Sequence, residues 1–190
     1  METDDRILDA ALRVFLAEGL RGATTRKIAD EAGVNEVTLF RRFGSKERLL
    51  MDALRHDAVV SAVALPLPSE CPLADLAAWN AATLRRLSRV RGLIQVAMGW
   101  IDESPALCER AREGPARIRA EIARWFDHLR ADGRARADFD SDLAARMLMG
   151  ALFGEVMRPD GVGGPPAEDL GRVAEAFARL ALRGIGVEES

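Results

Sequence analysis

The sequence predicts an all-α protein, and three observations carry that prediction. Ala and Arg, both strong helix formers, supply 57 of the 190 residues. Val, Ile and Thr together supply only 24, tyrosine is absent and aromatic residues make up 5%, which argues against a β-rich fold. Apolar residues recur at helical spacing between cap residues, glycines and prolines. With 48% apolar and 30% charged residues, the chain has an ordinary globular balance and enough length to bury a core.

Each element follows from its own punctuation. Thr3 caps a first helix, with Asp4 and Asp5 in the turn where the helix dipole favours acids. Ile7, Leu8, Ala11, Leu12 and Phe15 form its apolar stripe, and Gly19 stops it. Thr24 or Thr25 caps a short second helix with Ile28, Ala29 and Ala32 inward, ended by Gly33. Asn35 caps a third that reaches about Arg42, with Val37, Phe40 and Leu39 turned inward or close to it, and Gly44 ends it. Ser45 caps a fourth, from Lys46 to about Ala64, broken by Leu65-Pro66-Leu67-Pro68. A fifth fits Leu73 to Val90, and Leu93 to Ile101 is apolar nearly all round, which predicts a buried helix. Ser104-Pro105 is a cap followed by proline at the first helical position. Gly114-Pro115 interrupts the next stretch, and a long helix resumes from about Ala116 to Ala131, ended by Gly133. Asp140 or Ser141 starts another that runs to about Met157. Gly161 to Pro166 reads as a loop, and the last helix spans roughly Ala167 to Arg183.

Several function classes lack their signatures. No apolar run approaches the ~18 residues of a membrane span, and charges from Glu2 to Arg6 are unlike a signal peptide. Cys71 and Cys108 have neither metal-ligand spacing nor a disulfide framework, so a cytoplasmic protein with reduced thiols is expected. Either cysteine is an oxidant sensor or simply a structural or exposed thiol. His56 and His128 stand isolated, as surface or core histidines, and no metal or cofactor is expected. No Ser/His/Asp or Cys/His set, no paired carboxylates on a buried face and no glycine-rich phosphate loop is present, so an enzyme is not expected.

Charge is concentrated. Between Arg21 and Arg48 lie seven basic residues, including both lysines of the chain, Lys27 and Lys46, against four acidic ones. The whole protein has a net charge of −3. A local basic patch is what phosphate binding needs, although a solvated helical face has the same composition. The second and third helices, with the tight turn at Gly33-Val34, have the length and spacing of a helix-turn-helix. In that motif the second helix enters the major groove, making Asn35, Glu36, Val37, Thr38, Arg41 and Arg42 the groove-facing candidates. An ordinary helical hairpin is the alternative. The shift from basic to neutral composition near Leu49 to Ala53 falls inside the fourth helix. Two domains sharing that helix are therefore expected: a helix-turn-helix domain at 1–50 and a larger helical domain at 51–190.

The run Gly22-Ala23-Thr24-Thr25-Arg26-Lys27-Ile28-Ala29-Asp30-Glu31-Ala32-Gly33-Val34-Asn35-Glu36-Val37-Thr38-Leu39-Phe40-Arg41-Arg42-Phe43-Gly44-Ser45-Lys46-Glu47-Arg48-Leu49-Leu50 resembles the DNA-binding domain of the TetR family of bacterial transcriptional regulators. Ile7 to Gly19 resembles that family's first helix, so the likeness covers about residues 5 to 55. The remainder resembles the family in length, helix order and all-α composition.

The resemblance implies roles position by position. Thr25 sits where the family contacts a phosphate through a helix N-terminus, with Arg26 beside it in the basic stretch. Asn35, Glu36, Val37 and Thr38 occupy the base-reading positions. Thr38 offers a hydroxyl or a methyl to thymine; Glu36 either accepts from cytosine N4 or is a solvated residue favouring the helix N-terminus. Arg41 and Arg42 reach phosphates or guanine, and Lys46 matches a phosphate-clamping lysine. Phe40 stands where the family usually has a tyrosine whose hydroxyl contacts phosphate. Either Arg41 or Arg42 compensates, or affinity is lower.

Residues 51–190 would then bind an effector and dimerise. The last two helices, at about 140–157 and 167–183, would form the homodimer seam through Leu143, Met147, Gly150, Ala151 and Gly154 on one and Leu170, Val173, Phe177, Leu180 and Leu182 on the other. The alternative is an intramolecular core. Candidate effector-binding residues are Trp79, Thr83, Met98, Trp100, Trp125, Phe126, Met147 and Phe153, each of which also fits a core role. Val59, Val60 and Val63 of the fourth helix would face that pocket. The expected protein is a homodimeric repressor, released from a pseudo-palindromic double-stranded DNA operator by a small hydrophobic effector. The alternatives are a constitutive dimeric regulator or activator without an effector and, remotely, a small helical enzyme.

Overall fold

The computed structural model describes residues 3–60, 64–101, 105–158 and 169–187, without the side chains of 101, 105–108, 110 and 111. Among these residues there are eight α-helices and no strand. They are α1 (Thr3–Gly22), α2 (Thr25–Ala32), α3 (Glu36–Phe43), α4 (Lys46–Val60), α5 (Pro72–Ile101), α6 (Pro105–Ala131), α7 (Ser141–Met157) and α8 (Leu170–Gly184). The all-α class matches the expectation. The Ser104 cap, the loop at Gly161 to Pro166, Val63 and the Cys108 thiol lie outside the described residues.

The chain divides into two compact units, Met1–Ala62 with Val90–Pro115, and Val63–Arg89 with Ala116–Ser190. In the first, α1 to α4 close around Phe15, Ile7, Ile28, Leu39, Leu49 and Leu50, all essentially without solvent exposure. Val90 and Leu93 of α5 enter the same core, and Trp100 packs against it. Periodicity within α5 marks these residues as apolar but does not show which core they join. The His56 imidazole of α4 stands 3.2 Å from the Asp9 carboxylate and 3.7 Å from that of Asp5, both on α1, so it is not isolated. Val59 and Val60, expected to face a pocket, are exposed.

The second unit packs Leu76, Trp79 and Leu84 of α5 with Ile122, Trp125, Phe126 and Leu129 of α6. Leu148 and Leu152 of α7 and Ala174, Ala178 and Leu182 of α8 complete this core. Asp140 caps α7 by accepting from the Leu143 amide at 3.0 Å. The Arg136 amide donates to the Ile185 carbonyl at 2.9 Å, tying the α6–α7 connection to the end of α8.

Two breaks expected from sequence are absent. Leu93 to Ile101 is not a separate helix but the end of α5, because Gly92 costs a helix only about 1 kcal/mol and does not stop it. Nor is that segment buried all round: Gln95, Met98 and Gly99 are exposed. Pro115 lies inside α6 rather than ending a helix. The residue before it is glycine, which lacks the Cβ that would clash with the proline ring in the α conformation.

Gly33 adopts φ 64°, and a Cβ built there meets nothing within 4 Å. Its substitution therefore isolates backbone strain from crowding. Gly33→Ala is expected to lower unfolding free energy by about 1–2 kcal/mol, with Gly33→Asn recovering part of the loss, measured by urea denaturation. Equal stability of wild type and Gly33→Ala would contradict the left-handed turn.

Candidate nucleic-acid interface

The interface is built on two helices of eight residues each, α2 and α3. The Thr24 hydroxyl accepts from the Lys27 amide at 3.2 Å, so Thr24 rather than Thr25 caps α2. At the other end Gly33 turns left-handed, and the Val34 amide donates to the Ala29 carbonyl at 3.0 Å. Arg6 of α1 donates to the Ala32 carbonyl at 3.1 Å, occupying an acceptor that the helix end leaves free. Asn35 caps α3 by accepting from the Val37 amide at 2.8 Å. The Ser45 hydroxyl accepts from the Arg48 amide at 3.2 Å at the start of α4.

Leu39 and Phe43, four residues apart, anchor α3 in the core. A helix of two turns has room for one inward row, and these residues fill it. Val37 and Phe40, expected inward or close to it, are instead 73% and 64% exposed. Arg41 is exposed on the same outer arc, and Thr38 is half-buried.

Several candidate DNA-contacting groups already have partners. The Thr25 hydroxyl donates to the Glu36 carboxylate at 2.5 Å, joining the start of α2 to the first turn of α3. Lys27 pairs with Glu18 at 2.5 Å, and Arg42 pairs with Asp4. The Lys46 ammonium donates to the Leu20 carbonyl. Arg26 and Arg41 are exposed and have no hydrogen bond or ion pair to another described residue. The ion pairs of Lys27 and Arg42 are largely solvated, and such pairs contribute about 0–1 kcal/mol. A phosphate could therefore take over either cation at little cost. Sequence spacing places these cations near one another but does not reveal which acids hold them.

Residues 7–53 match the profile described as bacterial regulatory proteins, tetR family, and residues 75–184 match that of the AefR-like transcriptional repressor, C-terminal domain. The chain belongs to the TetR family. It is therefore a DNA-binding transcriptional regulator and not an enzyme. The HTH-type transcriptional regulator YvkB of Bacillus subtilis is 46% identical over 48 residues, a quarter of each chain. The HTH-type transcriptional repressor KstR2 of Mycolicibacterium smegmatis is 28% identical over 191 residues, covering 95% of this chain and 89% of that one. A crystal structure of a Mesorhizobium loti protein assigned to the same family superposes with a TM-score of 0.75 at 24% identity, covering 97% of each chain. At that identity the superposition speaks for the fold alone.

The remaining candidates are distributed unevenly. Trp79, Trp125 and Phe126 share the core of the second unit, where the Trp125 and Phe126 rings meet edge-on at 5.7 Å. Thr83 and Phe153 are half-buried in that unit, and Met147 is 68% exposed on α7. Met98 and Trp100 belong to the first unit. On the expected seam, Leu143, Met147, Gly150 and Gly154 of α7 and Leu180 of α8 are exposed, whereas Leu182 is buried within its own chain. Asn80 is not among the residues that the sequence singles out. It is fully buried and donates through Nδ2 to the Ala174 carbonyl at 3.0 Å, while its Oδ1 has no partner. Trp125 Nε1 in the same core is also without a partner. Among the described residues no three His, Cys, Asp or Glu side chains are placed to hold a metal ion. No described helix is long and apolar enough to cross a membrane.

Lys46→Ala is expected to weaken binding to all DNA sequences alike. The slope of log K against log salt should become shallower by about 0.9, the value for one phosphate contact. Thr38→Ala is expected instead to change sequence preference, by about 1–3 kcal/mol at one base pair. Fluorescence anisotropy across a salt series on several duplexes separates the two, and identical behaviour of both variants would refute the division between clamp and reader.

Proposed function

We propose that the protein is a homodimeric repressor that leaves a pseudo-palindromic operator when a small hydrophobic effector binds. One observation carries the DNA half of this reading: a capped, core-anchored helix-turn-helix whose second helix presents Val37, Phe40 and Arg41 to solvent, with Arg26 exposed on its first. In this reading residues 1–50 are the DNA-binding domain and 51–190 the ligand-binding and dimerisation domain, and the protein works in the cytoplasm beside its DNA. Thr25, Arg26, Arg42 and Lys46 grip phosphate, while Asn35 to Thr38 and Arg41 face the bases. That relatives such as KstR2 are named repressors supports repression over activation.

Dimerisation is supported by apolar surface that one chain leaves uncovered. Met147 on α7 and Leu180 on α8 are 68% and 67% exposed, beside exposed Gly150 and Gly154, which permit close helix approach. The effector is supported by the unpartnered Asn80 Oδ1 and Trp125 Nε1. An unsatisfied buried polar group costs about 1–3 kcal/mol, a cost that polar groups of a ligand would remove. The tight packing of Trp79, Trp125 and Phe126 favours the second reading, a constitutive dimeric regulator. Footprinting on DNA flanking the protein's own gene, with and without metabolite extract, separates them: extract-dependent release supports the effector, and unchanged protection supports the constitutive regulator.

Light scattering at micromolar concentration is expected to report a dimer. The protected half-sites are expected to lie about 34–36 Å apart, or further if the reading heads splay. Met147→Glu should give a monomer with unchanged helix content and no operator binding; a dimer that persists would move the seam elsewhere. Asn80→Leu removes the unpartnered oxygen and is expected to leave the melting temperature unchanged or higher while abolishing release by extract. Retained release would exclude Asn80 from the effector site.

A further inference from the structure

Most polar groups at the start of the reading helix are already engaged within the protein. Asn35 Oδ1 accepts from the Val37 amide at 2.8 Å, and the Glu36 carboxylate accepts the Thr25 hydroxyl at 2.5 Å. Arg42, near its end, is paired with Asp4. Among the exposed side chains of α3, which include Glu36, Arg41 and Arg42, the apolar ones are Val37 at 73% and Phe40 at 64% exposure. Three residues apart, Val37 and Phe40 are neighbours on one side of the helix, with Cβ atoms about 5–6 Å apart.

Neither side chain can donate or accept a hydrogen bond, so neither can read a base edge in the usual way or hold a phosphate oxygen. Water leaves such a pair favourably only against another apolar group. The major groove offers one, the C5 methyl of thymine, and the adjacent cation Arg41, together with Arg26 exposed on α2, favours a polyanion as the partner. Successive base pairs rise about 3.4 Å, so side chains about 5–6 Å apart span one or two base steps.

We propose that α3 reads its half-site through thymine methyl groups, with Val37 and Phe40 covering the methyls of two thymines one or two steps apart. On this account Phe40 makes a base contact rather than standing in weakly for a phosphate-binding tyrosine. The inference rests on the DNA-binding reading above, and the test keeps the two apart.

The full-length protein is used to select binders from a random-sequence duplex pool, and the selected duplex is resynthesised with deoxyuridine in place of single thymidines. Deoxyuridine lacks only the methyl. Burial of one methyl corresponds to about fourfold in affinity, so replacing both thymines is expected to weaken binding about fifteenfold, and other thymines much less. Exchanging either sensitive T·A pair for 5-methylcytosine·G should retain about fourfold over cytosine·G at that position, which a preference for DNA flexibility would not produce. Phe40→Ala and Val37→Ala, both at exposed positions and checked for helix content, should each erase the thymine-over-uracil preference at one of the two positions. If a sequence is selected but deoxyuridine does not matter at any position, or both preferences survive the two substitutions, methyl reading is overturned and DNA binding stands. If no selected duplex binds better than the starting pool, the specific DNA-binding reading falls with it.

Discussion

The DNA face depends on burying a few side chains of two helices too short to persist alone. α2 and α3 have eight residues each, well below the ~12–15 at which an isolated helix becomes marginal in water. Their caps at Thr24 and Asn35 contribute about 1 kcal/mol each. Ile28, Leu39 and Phe43, buried against Phe15, Leu49 and Leu50, contribute about 1.5–3 kcal/mol apiece. The hydrophobic contribution is therefore the larger one. The outer face of α3 keeps its orientation because α2 and α4 pack against it and its inner row joins the shared core.

Electrostatics modulates this arrangement. Glu18, Asp4 and Glu36 stand against Lys27, Arg42 and Thr25, so the protein supplies its own anions where phosphates would bind. This reconciles a net charge of −3 with a DNA-binding face. The internal acids keep the free surface close to neutral, and their solvated pairs are weak enough for a phosphate to replace.

Elements with short-range signals were readable from sequence: caps at Asn35 and Ser45, a helix start at Asp140 or Ser141, the tight turn at Gly33-Val34 and the broad division into helices all follow from neighbouring residues. Signals that depend on distant partners were not. Helical spacing put Val37 and Phe40 inward or close to it, although Val37 was also a groove-facing candidate, yet only Leu39 and Phe43 of α3 are buried. Val90 and Leu93 look like continuations of a helix that also serves the second unit, and only the three-dimensional packing assigns them to the core of Phe15. Pro115 reads as a break because proline lacks an amide hydrogen and crowds the preceding turn, and the one part of that crowding that Gly114 removes is the contact with a preceding Cβ. Asn80 carried no sequence signal, since an asparagine at a helical position is ordinarily exposed. The basic stretch was readable as charge, but the pairing of Lys27 and Arg42 with α1 acids was not.

Gly114 bears on how α4 and α6 are joined in the first unit. It is buried, and a Cβ built on it would lie 3.4 Å from that of Ala58 in α4. One residue earlier, Glu113 pairs with Arg55 of α4 at 2.6 Å. The two helices are thus linked by a solvated ion pair that adapts its geometry and, beside it, by a narrow gap that has room for a methyl group. An alanine at 114 would meet Ala58 in ordinary contact, while any longer side chain directed at α4 would have to turn away or push α4 aside. Since α4 begins at Lys46 and buries Leu49, Leu50 and Ala53, the width of residue 114 bears on a helix that also supports the reading head.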